Sequence, residues 1–344
     1  MFFNKDIGID LGTANTLICV KGKGIVINQP SVIAVDIAAK RIIAVGKRAK
    51  AMIGKAPDHI RVVRPLQDGV ISDFEMTASM LRELLRNVLD GYGIFTRIRV
   101  VIGVPSGVTE VEKRAVEEVV RQMGAKDVYI LDEPMAAAIG CGISVDDPVG
   151  CMIADIGGGT SDIAIIALGG IVTATSLRHA GDKLNEAIIA YMRKTYDLLI
   201  GDRTAEELKI EIGCAFLDDA DSRQAIRYMD ARGRDIISGL PKIIKVSSRE
   251  MHEALEESIE VIIDGIRNTL ENAPPEIAAD IVSNGLVLSG GGGLIRDLDK
   301  LITFRTGLNV IVAENALEAV AYGTGKSLKN ISALERYASK KLKR

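Results

Sequence analysis

The chain has 344 residues, 47% hydrophobic and 26% charged, and its 43 Lys and Arg against 46 Asp and Glu give a formal net charge of −3. That length suits two domains or one large bilobed unit with ample core, and the charge argues against a nucleic-acid partner. The four cysteines, Cys19, Cys141, Cys151 and Cys214, lack CxxC spacing and histidine partners, and no apolar run reaches the roughly 18 residues of a membrane span, so a zinc site, a disulfide framework and a transmembrane segment are all disfavoured.

Residues 6 to 36 predict three strands, Gly8 to Asp10, Thr16 to Lys21 and Gly24 to Asp36, broken at Gly12-Thr13 and Gly22-Lys23-Gly24. The mixed, basic stretch Lys40 to Arg64 predicts a small insertion with a strand at Ile42 to Val45 and a short helix at Lys47 to Ile53. Pro65-Leu66-Gln67-Asp68-Gly69 is turn chemistry. Met76 to Leu89 sets Met80, Leu81, Leu84, Leu85 and Val88 at helical spacing. After a strand at Arg99 to Val104, Thr109 and Glu112 form a capping box that starts a helix. A strand at Val128 to Leu131 ends at Asp132-Glu133-Pro134, where Pro134 opens the helix Met135 to Cys141, and Ala136-Ala137-Ala138 and Gly140 permit close packing. By itself Glu133 also reads as a helix N-terminal charge.

Helices are expected at Gly181 to Tyr196 and Arg203 to Phe216, the latter holding Glu206-Glu207-Leu208-Lys209, whose charges alone would suit a solvated face. Residues 217 to 247 are polar, ending in a strand at Lys242 to Val246, and read as a second insertion. A long amphipathic helix, Glu250 to Leu270, stops at Pro274-Pro275; a short helix Glu276 to Ser283, a strand Gly285 to Leu288, a helix Leu294 to Thr306, a strand Val310 to Val312 and a helix Ala316 to Leu328 follow. From Lys326 to Arg344 seven basic residues face one acid, Glu335. This tail, with Lys340, Lys341, Lys343 and Arg344 at its end, reads either as a solvated helix or as a contact with anionic lipid at about 1 kcal/mol per basic residue.

Three glycine clusters organise this order. In Met152 to Asp162 an apolar run reaches Asp155, and Gly157, Gly158 and Gly159 lack the Cβ that would stop a backbone closing around an anion. Alone, the triplet also fits a solvated hairpin turn. Ile7 to Ile18 repeats the plan: an apolar run, Asp10, Gly12, then Thr13, Ala14 and Asn15. The spacing of Asp10 and Asp155 is about one domain, which predicts a duplicated half with two phosphate hairpins facing across a cleft. Asp155, at the strand end, could hold a hydrated Mg²⁺. Ser289 to Gly293, with Gly290, Gly291 and Gly292, is the third cluster.

Asp10-Leu11-Gly12-Thr13, Asp155 to Thr160 and Ser289 to Gly293, in that order, resemble the two phosphate motifs and the adenosine motif of the actin, Hsp70 and sugar-kinase superfamily. Finer wording at 8 to 17, 68 to 71, 132 to 140 and 204 to 213 resembles the MreB family of bacterial actins, over roughly residues 5 to 328. The resemblance implies an α/β, two-lobed actin-like fold, a duplicated RNase H-like ATPase with a nucleotide cleft. It implies lobe cores at 1–32 with 66–145 and 316–344, and at 146–181 with 244–315; insertions at 33–65 and 182–243; and a basic tail at 329–344.

For the site it implies ATP or ADP with Mg²⁺. Gly12, Thr13, Ala14 and Asn15 with Gly157, Gly158, Gly159 and Thr160 would cradle phosphates, and Asp10 and Asp155 would hold Mg²⁺ through water. Glu206, Glu207, Leu208 and Lys209 with Gly290, Gly291 and Gly292 would line the adenosine site, and Glu133, Thr160 and Asp155 would serve hydrolysis. Phosphoryl transfer needs positioning and charge neutralisation, which this set supplies. Ser161-Asp162 departs from the Thr-Glu usual in MreB proteins. Ile94 and Phe95, on the Gly91-Tyr92-Gly93 loop, resemble a membrane-insertion loop, or pack beneath it. The expected role is a cytoplasmic filament of many copies, peripheral on an anionic membrane with membrane proteins of the shape machinery or actin-like paralogues, maintaining cell shape. An Hsp70-like chaperone would need a peptide-binding domain and a sugar kinase an acceptor-activating base; a nucleotide-binding scaffold with negligible turnover also fits Ser161-Asp162.

Overall fold

Alternating apolar residues at the start of the chain form an antiparallel meander of β1 (Phe3–Leu11), β2 (Asn15–Val20) and β3 (Gly24–Pro30). The structure is a computed structural model that describes residues 3–89, 96–217 and 225–329. Ile94, Phe95, Lys340, Lys341, Lys343 and Arg344 lie outside the described residues. A small sheet follows, from β4 (Ile33–Asp36), β5 (Arg41–Val45), the short α1 (Lys47–Lys50) and β6 (Ile60–Val63), closed over Val32, Ala34, Ala44 and Ala49. β7 (Leu66–Gln67) and β8 (Val70–Ile71) make a two-residue hairpin in which Asp68 and Gly69 have φ of 48 and 76, the left-handed pair of a type I′ turn.

The first half continues with α2 (Phe74–Leu89), β9 (Thr96–Val104), α3 (Glu110–Gln122), β10 (Asp127–Asp132) and α4 (Glu133–Gly140). The capping box holds: Glu112 N–H donates to Thr109 Oγ1 at 3.2 Å and Thr109 N–H to Glu112 Oε2 at 2.6 Å. The second half has β11 (Cys151–Ile156), β12 (Ser161–Ala167), β13 (Gly170–Leu177), α5 (Gly181–Tyr196), β14 (Leu198–Leu199), α6 (Asp202–Ile212), β15 (Tyr228–Asp235) and β16 (Pro241–Ser247). It ends with α7 (Ser248–Glu271), α8 (Pro275–Asn284), β17 (Leu286–Ser289), α9 (Leu298–Thr306), β18 (Val310–Val312) and α10 (Ala319–Ser327).

The two five-stranded sheets, β3-β2-β1-β9-β10 and β13-β12-β11-β17-β18, share one topology. In each an antiparallel meander adds two parallel strands beyond its first strand, so the repeat seen in the two Asp-Gly runs extends to whole sheets. One core gathers Ile7, Ile9, Met80, Leu81 and Ile102, and another Met152, Ile163, Leu184, Leu208 and Ile259. Each such burial contributes about 1.5–3 kcal/mol. A third cluster joins the halves: Val101 and Ile153 pack with Ala136, Ala137 and Ala138 of α4 and with Ala319 and Val320 of α10. Those helices cross so closely that a Cβ on Gly140 would strike the Ala319 carbonyl, and one on Gly323 the Ala136 carbonyl. Among the described residues no helix is long and apolar enough to cross a membrane.

Several expected elements are corrected. The run Gly24 to Asp36 is two strands, because Ser31, fully buried, leaves the ladder to brace the first hairpin: its Oγ donates to the Gly12 carbonyl at 2.6 Å and its N–H to the Ala14 carbonyl at 3.0 Å. The helix expected to Phe216 stops at Ile212, where Gly213 turns extended and Cys214 bridges to Arg296. The helix expected from Leu294 starts at Leu298, because residues 292–294 form a 3-10 turn and Asp297 takes a left-handed φ of 61. A 3-10 turn, Ala316–Glu318, likewise precedes α10. Within 217–247 there are two strands, not one; β15 escaped notice because its inward face carries Ala231 and Gly233, and a Cβ on Gly233 would lie 2.5 Å from the Leu199 carbonyl.

Candidate functional site

Asp10 and Asp155 occupy equivalent places, each one residue before the end of the strand that enters a glycine turn, with ladder partners Leu17 and Asp162. The second turn is closed by Gly157 N–H donating to the Thr160 carbonyl at 2.8 Å. The two turns meet. A Cβ on Gly158 would lie 2.7 Å from Ala14 Cβ, and one on Gly159 2.5 Å from Thr13 Oγ1 and 2.9 Å from Gly69 N. Only glycine permits that approach. The Asp68-Gly69 turn is a third wall, since Gly69 N–H donates to Thr13 Oγ1 at 3.0 Å and a Cβ there would sit 2.5 Å from Thr160 Cγ2. Thr13, Ala14, Gly158, Gly159 and Thr160 are thus brought to one point, with Gly12 and Asn15 framing the first turn.

Around that point the fold concentrates carboxylates. Asp155 and Glu133 are buried at the cleft floor, and Asp10 keeps part of its surface open. Burial pushes the Asp155 carboxyl up to about 7 against the pull of the Ser289 hydroxyl, which donates to Asp155 Oδ1, with Asp162 adding to the rise. Burial, then the Asp155 charge, raises Asp10. Burial and then the charges of Asp162, Asp10 and Asp155 hold Glu133 well above the usual range. Such a group of acids keeps protons unless a cation neutralises it. Among the described residues no three acidic, His or Cys side chains converge closely enough to hold a metal ion directly. Two carboxylates at neighbouring turns are the oxygen donors a hydrated Mg²⁺ takes.

The second turn rests on the N-terminus of α5. Gly181 N–H donates to the Gly157 carbonyl at 3.1 Å and Asp182 N–H to the Gly158 carbonyl at 2.8 Å, and Lys209 Nζ reaches the Gly181 carbonyl at 2.7 Å. A helix N-terminus and an ammonium group beside a glycine turn make a positive field suited to phosphate. Burial lowers the Lys209 pKa, opposed by Glu206 and Asp182. Glu206 accepts from Lys50 Nζ at 2.6 Å, an ion pair from the small sheet across to α6, and Arg64 lies 3.5 Å from Asp182.

Four consecutive helical residues cannot share one face, and the structure divides them. Lys209 reaches the Gly181 carbonyl and Glu206, three residues before it, pairs with Lys50, whereas Leu208 is fully buried in the second core, where its side chain faces away from the cleft. Glu207 pairs with Arg203 on the same helix at 2.8 Å. Of the third cluster, Gly290 (φ 78) and Gly292 pack on Ile156 beneath the second turn, and Gly291 is open, a Cβ there lying 3.2 Å from Leu317 Cδ2. Two residues the sequence reading missed are Leu294 and Leu317, apolar yet 51% and 55% exposed beside this glycine turn. Their signal was an apolar residue inside a turn, disguised as the start of a helix. Ser289, part of the third glycine motif in the sequence, is the hydroxyl that donates to Asp155.

The MreB/Mbl protein family model matches residues 4–336. The cell shape-determining protein Mbl of Bacillus subtilis (strain 168) is 47% identical over 332 residues, 96% of this chain and 98% of that protein. The cell shape-determining protein MreB of Escherichia coli (strain K12) is 46% identical over 333 residues, 96% and 94% of the two chains. Among solved structures, MreB 5 of Spiroplasma citri bound to AMPPNP superposes with a TM-score of 0.90 at 41% identity, covering 96% of this chain and 97% of that one. The MamK double helical filament, at a TM-score of 0.78 and 22% identity over 95% and 99% of the chains, shares the fold. Agreement of that length and depth, on a fold whose halves each carry the same Asp-bearing hairpin, makes the chain a member of the MreB/Mbl family of actin-like, cell shape-determining proteins.

Proposed function

We propose that the chain binds ATP with Mg²⁺ between its two hairpins and hydrolyses it, and that copies of it assemble into filaments on the cytoplasmic face of an anionic membrane. One observation carries the reading: two topologically equivalent turns touch through Gly158 and Gly159, with Asp10 and Asp155 at equivalent strand ends, near enough for the charge of Asp155 to act on Asp10. Relatives of this chain from Spiroplasma citri are bound to AMPPNP and to ADP, which supports a nucleotide here. We infer the two lobes and two insertions at the boundaries the sequence suggested, supported by the paired sheets and separate cores.

In this reading the N–H groups of Thr13, Ala14, Gly158, Gly159 and Thr160 hold the phosphates, and Lys209 with the α5 N-terminus adds positive field. Leu294 and Leu317 give the base an apolar seat beside Gly291. Bound Mg²⁺ supplies neutralisation of the charge that develops on the phosphate oxygens. Glu133, whose carboxyl burial and the neighbouring acids hold well above the usual range, and the Thr160 hydroxyl orient the attacking water. Loss of the γ-phosphate removes contacts to both hairpins and frees the lobes to turn, so hydrolysis times the subunit contact. Ile94, Phe95 and the basic residues Lys340, Lys341, Lys343 and Arg344 serve the membrane, and shape-machinery proteins or paralogues are further partners.

The test is phosphate release from purified protein with ATP and Mg²⁺ and no added acceptor, alongside sedimentation. Release that depends on Mg²⁺ and is lost in Asp155→Ala supports the reading. Release only with a sugar acceptor would turn it into a kinase, and ATP binding without release into a scaffold.

A further inference from the structure

Asp162 enters the site described above only as the ladder partner of Asp155 and as a charge acting on Asp155 and Glu133. Its neighbours on β12 are buried and largely apolar, and it is itself only 1% exposed, a costly place for a carboxylate without a partner. Hydroxyls of its own half, Ser176 and Thr160, lean on it, and a main-chain partner comes from the other half: Ser106 N–H, two residues beyond the end of β9, donates to Asp162 Oδ1 at 2.8 Å. The same strand end touches the rest of the reaction machinery. A Cβ on Gly103 of β9 would lie 3.3 Å from Glu133 Cγ, and a Cβ on Gly69 would meet both Pro105 Cγ at 2.9 Å and Thr160 Cγ2 at 2.5 Å. The end of β9 therefore carries Glu133 on one side and reaches, through Ser106 and Asp162, the strand that begins just after Thr160 on the other.

We propose that Asp162 is a positioning residue for γ-phosphate cleavage: by accepting the Ser106 N–H it pins the second hairpin to the end of β9 and fixes the separation of Thr160 and Glu133. The inference rests on the hydrolysis reading and deepens it. Asp162 touches no substrate in this scheme; it sets the spacing of two groups that do. A carboxylate is used because a main-chain N–H beside a buried strand needs an acceptor, and no apolar side chain supplies one. Another tie between these regions, Arg178 to Glu112 at 3.3 Å, is solvent-exposed and holds no reacting group, which makes it a fair control.

The experiment compares single-turnover phosphate release and ATP affinity in Asp162→Val, Asp162→Asn and Arg178→Ala. Valine suits a buried strand and removes a buried charge but leaves the Ser106 N–H unpaired, so the variant folds and melts only modestly below the parent, by an amount worth about 1–3 kcal/mol, while release slows about 100-fold from a shift on the order of 1 Å between reacting groups. ATP affinity stays within about threefold, so the loss lies in the chemical step. Asparagine keeps an oxygen for Ser106 and restores release to within about fivefold, and Arg178→Ala matches the parent. If Asp162→Val releases phosphate at the parent rate, or asparagine fails to rescue, or the defect lies in affinity, this inference alone is overturned. A parent chain that binds ATP and releases no phosphate overturns the hydrolysis reading and this inference with it.

Discussion

Gly159→Ala tests the contact between the hairpins. The added Cβ would sit 2.5 Å from Thr13 Oγ1, 2.9 Å from Gly69 N and 3.0 Å from Asp68 Cα, and two of these three are backbone atoms that cannot swing aside. Restoring ordinary contact at 3.4 Å needs about 0.4–0.5 Å at the two backbone atoms and about 0.9 Å at Thr13 Oγ1. A displacement of that size between groups holding one phosphate costs about 100-fold in rate. Overpacking costs about 1–3 kcal/mol of stability, so the variant stays folded. Gly170→Ala is the control, since the nearest atom to its added Cβ is 3.9 Å away. Steady-state phosphate release and a melting curve for the pair decide the matter: if Gly159→Ala works within threefold of the Gly170→Ala control, the hairpins do not act at close quarters.

Other outcomes follow from the same geometry. Lys50→Glu should speed ADP release by about twofold to fivefold, the worth of a partly exposed ion pair, and the Lys50→Glu, Glu206→Lys double exchange should restore it; stopped-flow release of a fluorescent nucleotide measures both. Leu294→Ala should weaken ATP binding by about tenfold in calorimetry, from lost apolar contact, with little change in melting because the side chain is 51% exposed in the free protein. Asp155 is held near 7 by burial, so in the folded state without nucleotide it keeps a proton that the unfolded chain gives up near 4. Stability of the nucleotide-free protein should therefore fall as pH rises through that window, and Asp155→Asn should flatten the fall in melting curves while abolishing Mg²⁺-dependent release. Deleting residues 329–344 removes Lys340, Lys341, Lys343 and Arg344, and co-sedimentation with anionic vesicles should drop; unchanged binding would exclude the tail.

Much of this arrangement was readable because glycine and aspartate mark turns that few other residues can make. The two Asp-Gly runs announced both hairpins and the duplication, the Thr109 to Glu112 box started α3 where expected, and α5 has the bounds its spacing implied. What escaped was set by contacts distant in sequence. Ser31 broke a continuous apolar run to bond Gly12 and Ala14, and β15 hid its inward face in Ala231 and Gly233. Helical phase puts Leu208 in the core, and Leu294, expected as the first residue of a helix, is exposed because residues 292–294 form a 3-10 turn. Asp162 stood out only as a departure from family wording; its bond to Ser106 depends on the meeting of the two halves.

The most direct trial is a double-mutant cycle on Asp10 and Asp155, read as Mg²⁺-dependent ATP affinity by calorimetry in the parent, Asp10→Asn, Asp155→Asn and the double variant. If both hairpins grip one triphosphate, each single change weakens binding and the pair couples by more than about 0.5 kcal/mol. Effects that simply add, or one aspartate that can be changed without consequence, would contradict a shared phosphate site.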